Sequence, residues 1–365
     1  MNPDIKYWIG LSKINGVGAV RFKKIYSYFD SMQSAWQASF DELKKSGLED
    51  SVAENITMER NEINLDEEME KLERENIQIV TILEAEYPRL LKEIYGAPAL
   101  LYYKGELEAE GDEFAIGVVG TRKFSPYGKQ VAETIIADMV NQGITTVSGL
   151  ALGIDSMVHD ITIRNKRRTI SVLGSGLDRQ NIYPSSNRYL ADKILANGGL
   201  IVSEYPVGTM PLRGHFPQRN RIIAGLSLAT LVIEAPEQSG ALLTARYAIE
   251  NNRDVLAVPG NIYNMNSIGT NNLIRMGAKL VTNAADILEV LNMQQVTEFI
   301  ANKKISPDSK EEAALLEILS YEPTHVNELI KQSKLDTPTV NSTLTLMEMK
   351  GKVKNLGNMM YVIAR

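Results

Sequence analysis

Two arginines near the start of a predicted helix are well suited to bind an anionic ligand. Arg219 and Arg221 flank Asn220 in the stretch HFPQRNRIIAGLS, residues 215–227. Pro217 marks the first turn of this helix, because proline is favoured at the first helical positions. Cations near the positive end of a helix are disfavoured by about 0.3 to 1 kcal/mol each. A negative group is therefore expected to compensate them.

That negative group could come from within the chain or from a ligand. Asp155 and Glu204 are the internal candidates, and a phosphodiester is the external one. One buried ion pair would account for one arginine. Two arginines at a strand-rich edge favour the external anion.

A second candidate site is the turn in GVVGTRKFSPYGK, where a strand ends at Gly120. The turn contains Thr121, Arg122 and Lys123, and Ser125 followed by proline is typical of a helix N-cap. Free amides and a partial positive charge at a helix start attract anions, and two cations strengthen the effect. The turn predicts a phosphate site. An arginine paired with an acid across the sheet edge is the alternative.

Other strand ends offer backbone rather than charge. The stretch EAPEQSGALLTA provides Ser239 as a helix cap, with Gly240 behind it. No segment completes G-x-G-x-x-G with an acidic residue about 20 positions on, and none matches G-x-x-x-x-G-K-[ST]. Dinucleotide binding and ATP hydrolysis are therefore not expected.

The sequence carries little catalytic apparatus. His159, His215 and His325 lie in separate segments without metal-ligand spacing, and no G-x-S-x-G elbow occurs. Zero cysteines exclude a thiol nucleophile and cysteine-ligated zinc, and they fit a reducing compartment. We expect no catalytic residue, no metal and no cofactor.

Composition indicates a globular protein with an uneven charge distribution. The 365 residues, 44% hydrophobic and 23% charged, suggest two or three domains. No apolar run could span a bilayer, and the N-terminus lacks a secretion-signal layout, which predicts a cytoplasmic protein without membrane contact. The net charge is -6, yet residues 116–230 carry 13 basic and 7 acidic residues. This basic segment is typical of a phosphate-bearing partner.

The element pattern from residue 76 predicts a doubly wound, mostly parallel α/β sheet. Apolar runs such as AIGVVG, ITTVS, TISVLG, LIVSE, ATLVIE and DVLAVPG alternate with amphipathic helices. In such a sheet ligands bind at the carboxyl ends of the strands. The candidate residues all follow predicted strands.

The flanking segments predict two smaller domains. Residues 1–65 read as helices around Gly16-Val17-Gly18, a helix-hairpin-helix-like (SAM-like) arrangement. After an α/β domain at 76–292 and a linker at 293–310, residues 311–365 predict three helices and a β-wing, a winged-helix domain. Val340, Leu344 and Met347 form the apolar stripe of its third helix.

Six segments between residues 76 and 290 together resemble the DNA-processing protein A (DprA/Smf) family. They are GVVGTRKFSPYG, VSGLALGID followed by His159, YPSSN, SEYPVGTMPLRGHFPQRNRIIAGLS, EAPEQSGALLTARYAIENNRDVLAVPG and GTNNLIRMGAKLV. The resemblance implies an extended Rossmann-like domain that forms a homodimer and is not an enzyme. It implies a protein that binds single-stranded DNA, loads the RecA recombinase onto it, and protects incoming strands in natural transformation.

The family's DNA contacts carry over to the turn at Gly120, Thr121 and Arg122, and to the Arg219–Arg221 segment. Two positions depart from the family pattern. Leu152 stands where the family has arginine or lysine, and Ser185 stands where lysine is frequent. Both departures remove positive charge, and Arg188 is a candidate replacement for the second.

Two other functions remain as alternatives. A Rossmann-type hydrolase of nucleoside monophosphates, of the lysine-decarboxylase-like group, has a P-G-G-x-G-T-x-x-E signature of which only APEQSGALLTA is a partial match. A sequence-specific transcription regulator would read bases with the third winged helix. That helix offers Thr339, Asn341, Ser342 and Thr345 but no arginine.

Overall fold

The computed structural model of the chain describes residues 4–108, 112, 114–291, 309–319, 324–350, 352–355, 357 and 359–363. The chain divides into two compact units, Met1–Leu291 and Asn292–Arg365. The predicted linker, 293–310, lies outside the described residues except for its last two positions. The predicted boundary between a helical and an α/β domain falls inside the first unit and stays a prediction.

The first unit alternates helices and strands from residue 78 onward. Its helices are α1 Ile5–Lys13, α2 Ala19–Tyr28, α3 Met32–Gln37, α4 Phe40–Lys45, α5 Asp50–Glu59, α6 Leu65–Arg74, α7 Arg89–Lys92, α8 Pro126–Asn141, α9 Ile154–Arg164, α10 Arg188–Ala196, α11 His215–Gly225, α12 Gly240–Glu250, α13 Ile268–Arg275 and α14 Ala284–Val290. Its strands are β1 Gln78–Thr81, β2 Leu100–Gly105, β3 Ala115–Val119, β4 Thr145–Ser148, β5 Thr169–Val172, β6 Leu200–Ser203, β7 Ala229–Val232, β8 Asp254–Ala257 and β9 Lys279–Leu280.

These strands form one sheet that, within the described residues, has nine strands in the order β1-β2-β6-β5-β4-β3-β7-β8-β9. The strands from β6 to β9 in this order are parallel, whereas β2 runs antiparallel to β6 and to β1. The part β5-β4-β3-β7-β8-β9 follows the Rossmann order, and β6, β2 and β1 extend it. The predicted mostly parallel, doubly wound sheet is confirmed.

Burial explains why the parallel strands have such uniform sequences. Every residue of β3, β4, β5, β6 and β7 is buried, because helices cover both faces of the sheet. The sequence analysis missed β2, since Leu100–Gly105 contains two tyrosines and a lysine and no β-branched residue. Its position beside the antiparallel edge does not require the continuous β-branched pattern.

The six N-terminal helices form a module that packs against the extended side of the sheet. Gly16, at φ +88°, makes the turn between α1 and α2, a backbone conformation that favours glycine. Trp8 stacks on Phe22 with 5.2 Å between ring centroids, which joins the two helices. The Ser12 hydroxyl lies 2.8 Å from the Tyr102 hydroxyl and connects α1 to β2.

The second unit has the predicted winged-helix arrangement. It contains helices α15 Lys310–Leu316, α16 Val326–Ser333 and α17 Thr337–Met349, and strands β10 Thr324–His325, β11 Val353–Asn355 and β12 Met360–Ile363. The three strands pair in the order β10-β12-β11. Val340, Leu344 and Met347 are fully buried, as the predicted stripe on α17 requires. Across the residues that the structure describes, no helix is long and apolar enough to span a membrane.

Candidate nucleic-acid interface

The candidate residues meet where the sheet changes winding direction. The chain leaves β3 through α8 toward β4 on one side, and it leaves β7 through α12 toward β8 on the other. Loops that diverge in this way open a crevice at the carboxyl ends of the strands, where α/β proteins bind ligands.

The turn after β3 is held by backbone contacts from neighbouring elements. The Thr121 amide donates to the Glu234 carbonyl at 2.7 Å, and the Thr121 carbonyl accepts from the Ile154 amide at 3.2 Å. A Cβ at Gly120 would lie 2.6 Å from the Ile154 side chain, so only glycine fits there. The turn is therefore fixed between β7 and α9 before any ligand binds.

Arg122 and Lys123 project from this turn into solvent. Both side chains are exposed, and neither makes a hydrogen bond or a salt bridge with the residues that the structure describes. The Lys123 amide donates to the Thr121 hydroxyl, and its carbonyl accepts from Asn266, which orders the backbone beneath the charges. Two free cations on a rigid turn are available to bind an anion.

Ser125, the predicted helix cap, is already engaged by a carboxylate. Its side chain accepts from the Gly128 amide at 3.1 Å, and its own amide donates to Glu234 Oε2 at 2.9 Å. Glu234 is 1% exposed and also accepts from the Ser125 hydroxyl. The sequence analysis missed Glu234, although an acid ending the buried run ATLVIE was the available signal. The start of α8 is thus occupied by an internal anion.

Arg219 is buried at the ends of two strands rather than exposed. Only 4% of the residue is accessible, and Nη1 donates to the carbonyls of Gly149, at 2.6 Å, and Val172. Burial lowers the pKa of Arg219 to about 10, Asp155 opposes this effect, and Arg122 adds to it. Arg219 therefore stays charged at neutral pH and connects β4 to β5. Its Nη2 has no hydrogen-bond partner among the described residues.

The loop between β4 and α9 is shaped around these charges. Asp155, buried in the first turn of α9, accepts from the backbone amides of Ala151 and Gly149, and its pKa is raised because burial outweighs the attraction of Arg219. A Cβ at Gly149 would lie 2.4 Å from Arg219 Nη2. Glycine at this position lets the guanidinium lie against the backbone.

Arg221 is paired with the second acid that the sequence analysis named. Its Nη2 donates to Glu204 Oε2, and the two side chains are 17% and 16% exposed. Burial raises the pKa of Glu204, while Arg221 opposes the shift. The internal acids Asp155 and Glu204 thus provide the negative charge that the helix start required. Whether either arginine also contacts DNA stays a prediction.

The remaining candidates lie in less charged surroundings. Arg188 is half-buried and donates to the carbonyls of Gln180 and Ile182. Asn220 donates to the Gly240 carbonyl at 3.3 Å, and Ser239 caps α12 through the Ala241 amide. Gly240 is exposed, and no described atom lies within 4 Å of the position that a Cβ would take there.

A small pocket brings Arg122 and Arg219 together. Its lining is Arg122, Gly149, Ala151, Leu152, Tyr183, Pro184, Phe216 and Arg219. Tyr183 is 49% exposed, and its ring centroid lies 5.5 Å from that of Phe216. Of the other aromatic residues near the turn, Phe124 is 41% and Tyr127 42% exposed. The pocket combines cations with exposed ring faces.

The histidines do not form a metal centre. His159 is fully buried, its Nδ1 lies 2.7 Å from the Thr169 hydroxyl, and burial lowers its pKa to about 3. Within the described ranges, no group of three or more histidine, aspartate or glutamate side chains could hold a metal ion. His159 packs the base of α9 against β5.

Comparison with known proteins gives matches along both units. Residues 78–292 match the family model of DNA recombination-mediator protein A, and residues 301–359 match the DprA winged helix domain. The chain is 41% identical to Protein Smf of Synechocystis over 314 residues, covering 85% of this chain and 78% of that protein. It is 46% identical to the DNA processing protein DprA of Streptococcus pneumoniae over 209 residues, covering 57% and 72%.

Two solved structures are similar in fold and sequence. DNA processing protein A from Streptococcus pneumoniae superposes with a TM-score of 0.66 at 37% identity, covering 78% of this chain and 97% of that one. DNA processing protein A from Helicobacter pylori, solved for its single-stranded DNA binding mode, gives 0.53 at 30% identity, covering 60% and 97%.

Proposed function

Because the chain belongs to the DNA recombination-mediator protein A family, we propose that it binds single-stranded DNA without strong sequence preference. The strand lies along the carboxyl ends of β3, β4 and β5, with its phosphates at Arg122 and Lys123. Support comes from the Helicobacter pylori relative, which is described by its single-stranded DNA binding mode.

The observation that carries this proposal is the free positive charge at the rim of an aromatic pocket. Arg122 and Lys123 are exposed and unpaired among the described residues, whereas Arg219 and Arg221 have internal acids nearby. Tyr183 and Phe216 offer ring faces beside them. Unpaired bases stack on such rings for about 1 to 3 kcal/mol each, and a duplex hides its base faces.

Equilibrium binding across a salt series tests the proposal. We expect tighter binding to a single strand than to a duplex of the same sequence, with log affinity falling linearly with log salt for both. Fluorescence anisotropy of labelled oligonucleotides measures the two isotherms. Equal affinity for both forms at every salt concentration would contradict the proposal.

We further propose that the bound protein loads the RecA recombinase, in the cytoplasm, onto DNA entering by transformation. Family membership supports this role. The test measures the DNA-dependent ATPase of RecA on a strand already coated with single-strand-binding protein. A shortened lag in the presence of this protein is expected. An unchanged lag would leave binding as its only role.

A homodimer is the proposed assembly. The free edge of the sheet at β9 is exposed, Leu280 on that strand is 49% exposed, and Met276 just before it is 78% exposed. An uncovered parallel edge with apolar side chains favours a protein partner. Light scattering after size exclusion is expected to give twice the chain mass of 40.5 kDa. A Leu280→Glu variant is expected to shift it toward the monomer.

We propose that the protein is not an enzyme. A nucleotide hydrolase with this sheet would hold its substrate at the β3–β7 crevice. The buried carboxylate of Glu234 lies at the start of α8 in that crevice, where it would repel a substrate phosphate. Incubation with nucleoside monophosphates is expected to release no free base.

A further inference from the structure

The pocket between Arg122 and Arg219 has walls that do not suit a phosphate. Leu152 is 50% exposed and Tyr183 49% exposed, and Pro184 and Phe216 complete an apolar and aromatic surface. Phosphate sites are surrounded by hydrogen-bond donors. Flat apolar walls are instead typical of sites that hold a planar ring.

The inner side of the pocket carries one directed donor. Arg219 is 4% exposed and is held by bonds from Nη1 to two carbonyls and from Nε to Asn220. These contacts leave Nη2 without a hydrogen-bond partner among the described residues, beside Gly149 in the pocket lining. A buried, immobile guanidinium donor recognises an acceptor atom that enters the pocket.

Resting on the single-stranded DNA binding proposed above, we propose that this pocket accepts one unpaired nucleobase. The base packs on Tyr183 and Leu152, and its exocyclic carbonyl accepts from Arg219 Nη2. Arg122 at the rim binds the phosphate of the strand.

This assignment gives Leu152 a role that a basic residue would not have. A half-exposed leucine on the pocket wall adds apolar contact with the base and no contact with phosphate. The pocket thus contributes affinity that depends on the base rather than on salt. A base paired within a duplex cannot enter it.

The experiment compares two oligonucleotides with the same phosphates. One is oligothymidylate, and the other has abasic sugars at every position. We expect the protein to bind the abasic strand at least tenfold more weakly. Tyr183→Ala is expected to weaken thymidylate binding about 5- to 150-fold, the range of one lost stack, and to leave abasic binding unchanged. Tyr28→Ala is the matched control, since Tyr28 is also 49% exposed but lies on α2 outside the pocket.

A shape-matched base tests the hydrogen bond from Arg219 without altering a buried residue. Difluorotoluene keeps the ring of thymine and lacks its carbonyls, so we expect an affinity between those of the thymidylate and abasic strands. Equal affinity for difluorotoluene and thymine would overturn the Arg219 contact. Thermal melting confirms that each variant is folded, and Leu152→Ser serves as a second pocket variant with a smaller expected loss on thymidylate alone.

The results separate this inference from the proposed function. Tight binding of both strands, with Tyr183→Ala weakening neither or both equally, would overturn the base pocket and leave single-strand binding intact. Failure to bind either strand at low salt would instead refute the proposed function itself.

Discussion

Replacing Arg221 with alanine is expected to destabilise the fold rather than remove a DNA contact. Arg221 donates to Glu204, and about one sixth of each side chain is exposed. The variant leaves the Glu204 carboxylate mostly buried without its cationic partner. An unpaired charge in this position must either remain ionised at a cost or take up a proton.

The size of the effect follows from the burial of the pair. Removing one partner of a buried ion pair costs about 3 to 5 kcal/mol. Because both side chains retain some solvent contact, we expect the lower end, about 3 kcal/mol. For a folded unit of this size, each kcal/mol lowers Tm by about 2 to 4 °C. The expected decrease in Tm is about 6 to 9 °C.

The pH dependence identifies the cause. Burial already raises the pKa of Glu204, and removing Arg221 removes the opposing attraction, so the pKa rises further in the variant. A carboxyl whose folded pKa lies above its unfolded value favours folding when protonated, and this contribution is lost as pH rises through the folded pKa. The decrease in Tm relative to the unaltered protein is therefore expected to be largest near pH 8 and smaller near pH 5.

Thermal melts by circular dichroism at the two pH values provide the assay, with the double variant Arg221→Ala, Glu204→Gln as control. The control is expected to lose less stability at pH 8, since glutamine carries no charge to strand. A Tm decrease of equal size at both pH values would refute the reasoning. So would an unchanged Tm combined with lost DNA affinity, because Arg221 would then face the ligand.

Four further predictions concern other residues. Arg122→Ala is expected to keep its Tm and to reduce the salt slope of DNA binding by about one unit, which anisotropy titrations at several salt concentrations measure. The pKa of His159 is lowered to about 3, so the unfolded chain binds a proton below pH 6.5 that the folded chain does not. Stability is therefore expected to fall by about 1.4 kcal/mol per pH unit below that value, and urea titrations at pH 7 and pH 5 should show a smaller loss for His159→Gln. Gly149→Ala brings a Cβ within 2.4 Å of Arg219 and is expected to cost about 1 to 3 kcal/mol in the same titration. Removing residues 306–365, which carry 7 basic and 8 acidic side chains, is expected to leave single-strand affinity within a few-fold; a folded truncated protein that loses most of its affinity would contradict this.

Local patterns in the chain were sufficient to predict the sheet and the exposed turn. Apolar runs of strand length between amphipathic helices indicate parallel strands, because helices cover both faces of such a sheet. The turn at Gly120 and Arg122 was equally accessible, since a strand end, a glycine and a helix cap follow one another within a few residues. Its cations need no distant partner, and the structure leaves both exposed.

The surroundings of the other charges depended on contacts between distant residues. Arg219 bonds to Gly149 and Val172, 70 and 47 positions away, and Glu234 contacts Ser125 across 109 positions. The sequence analysis named Asp155 and Glu204 as possible partners but favoured an external anion, because periodicity does not reveal which strand ends are adjacent.

The sequence by itself therefore determined the elements, their order and the residues able to bind a phosphate. Backbone propensity and side-chain periodicity act over a few residues, so they can be read along the chain. Tertiary structure decided which of those charges meets solvent. Desolvation and ion pairing depend on neighbours in space, and the packing of β4, β5 and α11 buried Arg219 while it left Arg122 exposed at the rim of the same pocket.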